Sequence, residues 1–106
     1  MLKKIECIVR VEKLEETLEA LRKSGVPGAT ITHVQGFGKE RLVADPYLKE
    51  KVKIEIYLEE AELDYILDTL TAINQTGKIG DGKIAILDVE RLIRIRTNER
   101  EMNALY

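Results

Sequence analysis

The sequence predicts an α+β fold of the ferredoxin-like kind, a βαββαβ sandwich in which a four-stranded antiparallel sheet carries both helices on one face. Three observations predict it. Two stretches, Ile5 to Val11 and Val52 to Leu58, alternate apolar with mostly charged residues, the period of a strand with one buried face. Two others, Leu14-Leu18-Leu21 and Leu63-Ile66-Leu67-Leu70-Ile73, recur at helical spacing. The length of 106 residues suits a single domain, 1–106, that hides about 65% of the unfolded chain's surface and needs neither disulfide nor metal to hold a core.

Each element follows in order. Ile5, Cys7, Val9 and Val11 alternate with Lys4, Glu6 and Arg10 to make the first strand. From Glu12 the period changes to the leucine stripe of the first helix, which Gly25 as C-cap and Pro27 bring to an end. ATITHVQGFG, residues 29–38, is rich in β-branched residues and predicts the second strand, running into Phe37 between Gly36 and Gly38. KERLVADPYLKE, residues 39–50, is polar, contains Pro46 and holds no period. It predicts a loop, of a length that small domains often keep for function.

KVKIEIYL, residues 51–58, is the third strand, and the acidic Glu59, Glu60 and Glu62 suit the start of the second helix. A glycine-rich connection leads into KIAILDV, residues 83–89, as the fourth strand, and RLIRIR, residues 91–96, predicts a short fifth. In the fourth strand Ile84 and Ile86 face one way while Ala85, Leu87 and Val89 face the other. Both faces therefore want cover, and sheet-to-sheet oligomerisation would supply what the helices do not.

Composition narrows the function. The chain is 44% apolar and 34% charged with a formal net charge of −2, which lacks the clustered basic surface that nucleic acid requires. One cysteine, Cys7, excludes an intrachain disulfide and cysteine-rich metal sites. MLKKIECIVRV has no secretory h-region, and no apolar run reaches membrane-spanning length, so a cytoplasmic protein is expected. His33 reads as a satisfied structural residue and Cys7 as a small core residue. No nucleophile–base pair or metal cluster is visible, so neither an enzyme nor a metal site is expected.

The stretch TGKIGDGKI, residues 76–84, carries G-x-x-x-x-G-K from Gly77 to Lys83. A true P-loop runs from strand to helix and places Ser or Thr after the lysine for magnesium. Here a helix precedes, a strand follows, and the next residue is Ile84. What survives is local: Gly77, Gly80 and Gly82 let backbone amides approach an anion, and Lys78 and Lys83 add charge. Arg94 and Arg96 lie two apart on a segment read as extended, hence on one face, and paired guanidiniums suit phosphate oxygens. The same residues also fit a solvated connection and a solvated edge strand.

GFGK at 36–39, KVKIEI at 51–56 and above all TGKIGDGKIAILDVERLIRIRT at 76–97 resemble the PII signal-transduction family, over nearly the whole chain apart from the loop after Gly38 and the C-terminal end. The resemblance implies a homotrimer that binds ATP or ADP in clefts between neighbouring subunits and contacts a transporter, an enzyme or a transcription regulator through a T-loop. It implies a T-loop at about 39–50, a B-loop at about 76–83 and a C-terminal segment at about 91–106. Gly80, Asp81, Gly82 and Lys83 match the B-loop that holds nucleotide phosphates, and Arg94 and Arg96 match the pair that reaches them from across the interface. Gly36 and Gly38 would sit beside the nucleotide, Lys51 near the γ-phosphate and the 2-oxoglutarate pocket, Glu55 near the adenine or ribose, and Thr30 against the base. Lys39, Glu40, Arg41 and Tyr47 fall in the T-loop and would meet the partner. A transporter partner would recruit the protein to the inner face of the membrane.

Departures from the family pattern shape the expectation. The T-loop is shortened, and Tyr47 does not align with the tyrosine that nucleotidylylated members carry in an Arg-Gly-Ala-Glu-Tyr context. Glu40 stands where a glutamine helps to hold Mg2+ and 2-oxoglutarate; it could ligate the metal, but its charge repels a dicarboxylate. RVEK at 10–13 replaces a Lys-Pro-Phe-Lys stretch. The expectation is a divergent PII-like sensor of ATP, ADP or AMP, with or without bicarbonate or 2-oxoglutarate as a second ligand. The alternatives are a weak ATPase in which Asp81 orients a water, and a ligand-free trimeric scaffold.

Overall fold

The structure is a computed structural model and describes residues 1–38 and 48–106. Its main elements are β1 (Leu2–Arg10), α1 (Leu14–Ser24), β2 (Thr30–Gly36), β3 (Lys49–Glu59), α2 (Leu63–Asn74) and β4 (Lys83–Asp88), with short 3-10 turns before each helix and near the C-terminus. The sheet has the order β2-β3-β1-β4 and is antiparallel at every junction. This is the ferredoxin-like arrangement.

Register explains the core. Ile5 stands opposite Ile56 and Ile86, and Cys7 opposite Ile54 and Ile84, so the period of two sends one set of side chains from three strands to the same face. There Ile5, Cys7, Val9, Val52, Ile54, Ile56 and Leu58 are buried with Leu21 of α1 and Ile66 and Leu70 of α2. Gly25 ends α1 in the left-handed region at φ 81°, as its C-cap role requires.

A polar contact joins the helices inside this apolar layer. Asn74 Nδ2 donates to Leu70 O at 2.9 Å and to Thr17 Oγ1 at 3.2 Å, and Thr17 Oγ1 donates to Lys13 O at 2.7 Å. Asn74 Oδ1 is buried and has no hydrogen-bond partner among the described residues. An amide only half satisfied stabilises little, whereas losing its donor is costly. We expect a Thr17→Val/Asn74→Leu variant to be as stable as the parent or more so in denaturant melts. Asn74→Asp, which sets a carboxylate beside Leu70 O, should cost about 3 kcal/mol.

Four expectations are corrected. Val11 leaves the strand: β1 ends at Arg10 and Val11 opens the 3-10 turn. β3 starts at Lys49, because Gly36 and Gln35 of β2 offer ladder partners to Lys49 and Glu50; the last residues of the expected 39–50 loop are thus strand, and 39–47 lies outside the described residues. His33 lies exposed on β2 with no side-chain partner among the described residues. The expected fifth strand is a single bridge, Ile93 to Arg100. Between them Arg94 N donates to Glu99 O and Asn98 N to Arg94 O, at 2.9 and 2.7 Å, with Asn98 at φ 62°. Asparagine tolerates that left-handed turn, and the turn removes Arg94 and Arg96 from one extended face.

The sheet face away from the helices carries an ionic lattice, with Lys4 Nζ 2.7 Å from Glu55 and 3.1 Å from Glu6, and Lys4 over the Tyr57 ring at 5.9 Å. Ile8, Tyr57 and Leu87 lie exposed among these charges. Among the described residues these three side chains on this face remain exposed.

Candidate functional site

The segment from Gln75 to Gly82 joins α2 to β4, and Asp81 organises it. Asp81 Oδ2 accepts the amides of Thr76 and Gly77 at 2.7 and 2.9 Å. Oδ1 accepts Thr76 Oγ1 and Arg10 Nη1, each at 2.5 Å. Arg10 Nη2 also donates to Ile79 O at 3.0 Å, and Lys51 Nζ donates to Gly80 O at 3.0 Å. Arg10 and Lys51 are register partners at the ends of β1 and β3, so two strands lash the loop from one side.

These donors, the Thr76 hydroxyl first and Arg10 next, hold the Asp81 carboxyl well below the usual carboxylate range. A depressed folded-state value contributes stability that is fully present above the unfolded value, about pH 3.9, and lost only as pH falls through the folded one. The Asp81 side-chain carbon shift should therefore stay that of a carboxylate at pH 3 in an NMR titration; half-protonation near pH 4 would contradict the geometry.

Gly82 fits where no other residue can. It sits at φ +102°, and a Cβ there would lie 1.7 Å from Ile8 O. The loop thus rests directly on the backbone of β1.

Around this loop lies a cleft of about 590 Å3, lined by Ile8, Gly36, Phe37, Gly38, Lys51, Ile79, Gly80, Gly82 and Lys83. Six of the residues singled out in the sequence meet here: Gly36, Gly38, Lys51, Gly80, Gly82 and Lys83. Lys83 is exposed, and its side chain makes no bond among the described residues. Glycine-rich backbone with a lysine whose charge is uncommitted fits a polyanion.

Thr30 and Glu55 stand elsewhere, in a cleft of about 310 Å3 with Tyr57, Leu92, Ala104 and Leu105. The two clefts share no residue. Along β3, Lys51 and Glu55 are about 13 Å apart at strand rise. Arg94 and Arg96 line neither cleft. The Arg94 guanidinium pairs with Glu99 at 2.7 Å and donates to Asn103 O at 3.2 Å, while Arg96 is exposed with no partner among the described residues.

Asp81 does not line the larger cleft. Its two oxygens already accept four hydrogen bonds, which uses the acceptor sites of a carboxylate and leaves none to orient a water. No group of three or more His, Cys, Asp or Glu among the described residues could hold a metal ion. Lys39, Glu40, Arg41 and Tyr47 lie outside the described residues. Ile8, Ile79 and Arg10 are the additions that the sequence reading missed. Arg10 reaches Asp81 across 71 positions, a pairing visible only once the β1–β4 register is known.

Comparison with known proteins gives concordant results. The family model described as "Nitrogen regulatory protein P-II" matches residues 2–99. The nitrogen regulatory protein P-II of Pyropia yezoensis is 41% identical and P-II 1 of Escherichia coli (strain K12) 42%, each over 112 residues, covering 98% of this chain and 100% of the relative. Those 112 positions exceed the 106 residues here, so the relatives carry residues without a counterpart. The crystal structure of Arabidopsis thaliana PII bound to citrate superposes with a TM-score of 0.84 at 37% identity, covering 97% of this chain and 91% of that one. No helix among the described residues is long and apolar enough to cross a membrane.

Proposed function

The chain belongs to the nitrogen regulatory protein P-II family, a family of signalling proteins, and from that premise we propose that it is a homotrimeric sensor of adenine nucleotides that regulates a partner protein. The observation that carries this is the division of the site. One cleft offers Lys83, Lys51 and loop amides, and another, sharing no residue with it, offers Thr30 and Glu55. Within one chain neither closes on a ligand. A neighbouring subunit would bring Thr30 and Glu55 to the base and Arg94 and Arg96 to the phosphates held at Lys83. The apolar residues on the open sheet face, Ile8, Tyr57 and Leu87, would be covered by the same assembly.

Regulation follows from where the cleft ends. Gly36, Phe37 and Gly38 line it, so a nucleotide would touch the base of the segment that contains Lys39, Glu40, Arg41 and Tyr47. That segment is proposed to contact a transporter or a metabolic enzyme in the cytoplasm or at the inner membrane face. Mg2+, where it accompanies ATP, would be held mainly by phosphates and water, as is usual for that ion. A second small anion beside Lys51 and Arg10 would share its cleft with Glu12 and Glu50, which favours singly charged bicarbonate over 2-oxoglutarate.

Calorimetry with ATP, ADP and AMP tests this. A ligand shifts an equilibrium only through differential affinity, so the three should bind with distinct affinities. Lys83→Ala should weaken ATP by about 1.5 to 3 kcal/mol, one charge-assisted bond, and AMP by less. Absence of binding would leave the ligand-free scaffold.

A further inference from the structure

We infer that Glu99 sets how tightly the protein holds a nucleotide's phosphate tail, because its carboxylate occupies Arg94 in the free chain and competes with the incoming anion. This competition rests on the nucleotide reading and adds to it a residue that tunes the response. The two arginines of the C-terminal segment look alike in the sequence. The structure separates them: Arg96 is exposed with no partner among the described residues, whereas Arg94 is partly buried and already committed.

Arg94 Nη1 donates to Glu99 Oε1 at 2.7 Å and Nη2 to Asn103 O at 3.2 Å. The shorter contact has the length of a charge-assisted hydrogen bond, the kind a phosphate oxygen would make with the same nitrogen. The backbone keeps the carboxylate within reach. Arg94 N donates to Glu99 O at 2.9 Å and Asn98 N to Arg94 O at 2.7 Å, with Asn98 left-handed at φ 62°. A group held in the same tight turn acts at high effective concentration. Glu99 pairs with no other cation among the described residues, so its charge is directed at Arg94 alone.

A phosphate oxygen arriving at Arg94 has two courses. It displaces Glu99 and loses the worth of that pair, or it joins Glu99 around one guanidinium and meets a like charge at close range. Both weaken the anion, so the sign does not depend on which course is taken. Apparent affinity falls in proportion to the fraction of Arg94 left competent. Only a ligand whose charge reaches Arg94 is affected, and ATP therefore loses more than AMP. Glu99 narrows the gap between the two. Were the carboxylate instead an orienting group that prepares Arg94 for phosphate, its removal would weaken ATP, which is the opposite result.

Calorimetry of the full chain with ATP and with AMP tests this in the parent, Glu99→Gln, Arg94→Ala and the double variant. Glutamine keeps an acceptor for the turn and loses the charge. Glu15→Gln removes the same charge from α1, where Glu15 is exposed and makes no bond among the described residues. Glu99→Gln should lower the ATP Kd about fivefold, the upper scale of a solvent-exposed ion pair. AMP should gain less, and Glu15→Gln should change neither. With Arg94 already alanine, the gain should vanish. An ATP Kd unchanged or raised by Glu99→Gln overturns the competition, and so does an equal gain in the Arg94→Ala background, which would be charge repulsion without Arg94. A parent that binds no ATP would overturn the nucleotide reading and the competition together, whereas one that binds ATP through Arg94 and ignores Glu99 overturns the competition alone.

Discussion

Mixing Lys83→Ala chains with Arg94→Ala/Arg96→Ala chains should restore ATP sites of parental affinity that neither variant has alone. Each variant lacks one half of every site in its own homotrimer. In a mixed trimer, an interface where the arginine variant contributes Lys83 and the lysine variant contributes Arg94 and Arg96 is complete. In a cyclic assembly each interface joins two different patches, so random exchange of equal amounts makes about a quarter of the sites whole. Calorimetric stoichiometry reads that fraction. Because Arg94 also pairs with Glu99 and donates to Asn103 O, matched melting curves for the variants must accompany the titration. If both variants are folded, exchange subunits and still show no site of parental affinity together, the half-sites do not meet and the shared cleft is wrong.

The second large effect is expected from Gly82→Ala. The new Cβ would stand 1.7 Å from Ile8 O at φ +102°, and neither partner can yield as a flexible side chain would. Left-handed strain at a non-glycine residue and overpacking each cost about 1 to 3 kcal/mol, so the variant should be destabilised by about 3 kcal/mol or lift the loop from β1. Either way ATP affinity should fall far more than for Lys78→Ala, whose side chain is exposed and makes no bond among the described residues. A Gly82→Ala chain with the parent's melting curve and affinity would show that the loop does not rest on the strand as described.

The parts of the fold written most plainly in the sequence are those where one face is buried. The alternation from Val52 to Leu58 and the leucine stripes of both helices are direct consequences of that burial, and they appear where expected. Boundaries set by pairing were less visible. Lys49 and Glu50 carry no apolar period, and only the reach of β2 draws them into the sheet. Arg94 and Arg96 alternate with Ile93 and Ile95 as a strand would, yet among the described residues the stretch makes only the single bridge from Ile93 to Arg100, and a left-handed Asn98 folds it back instead. The site was similarly divided. Glycines and lysines of the B-loop are contiguous and could be found by inspection, whereas the fastening of that loop by Arg10 and Lys51 depends on side chains from separate strands.

The fastening of the B-loop reaches beyond the cleft itself. Because the loop's turns are tied down before any anion arrives, the entropy of ordering them is lost during folding and little remains to be lost on association. Affinity at Lys83 is therefore partly decided at Arg10, a residue that does not line the 590 Å3 cleft, and natural selection for tighter or looser response can act on β1 without altering a single ligand contact.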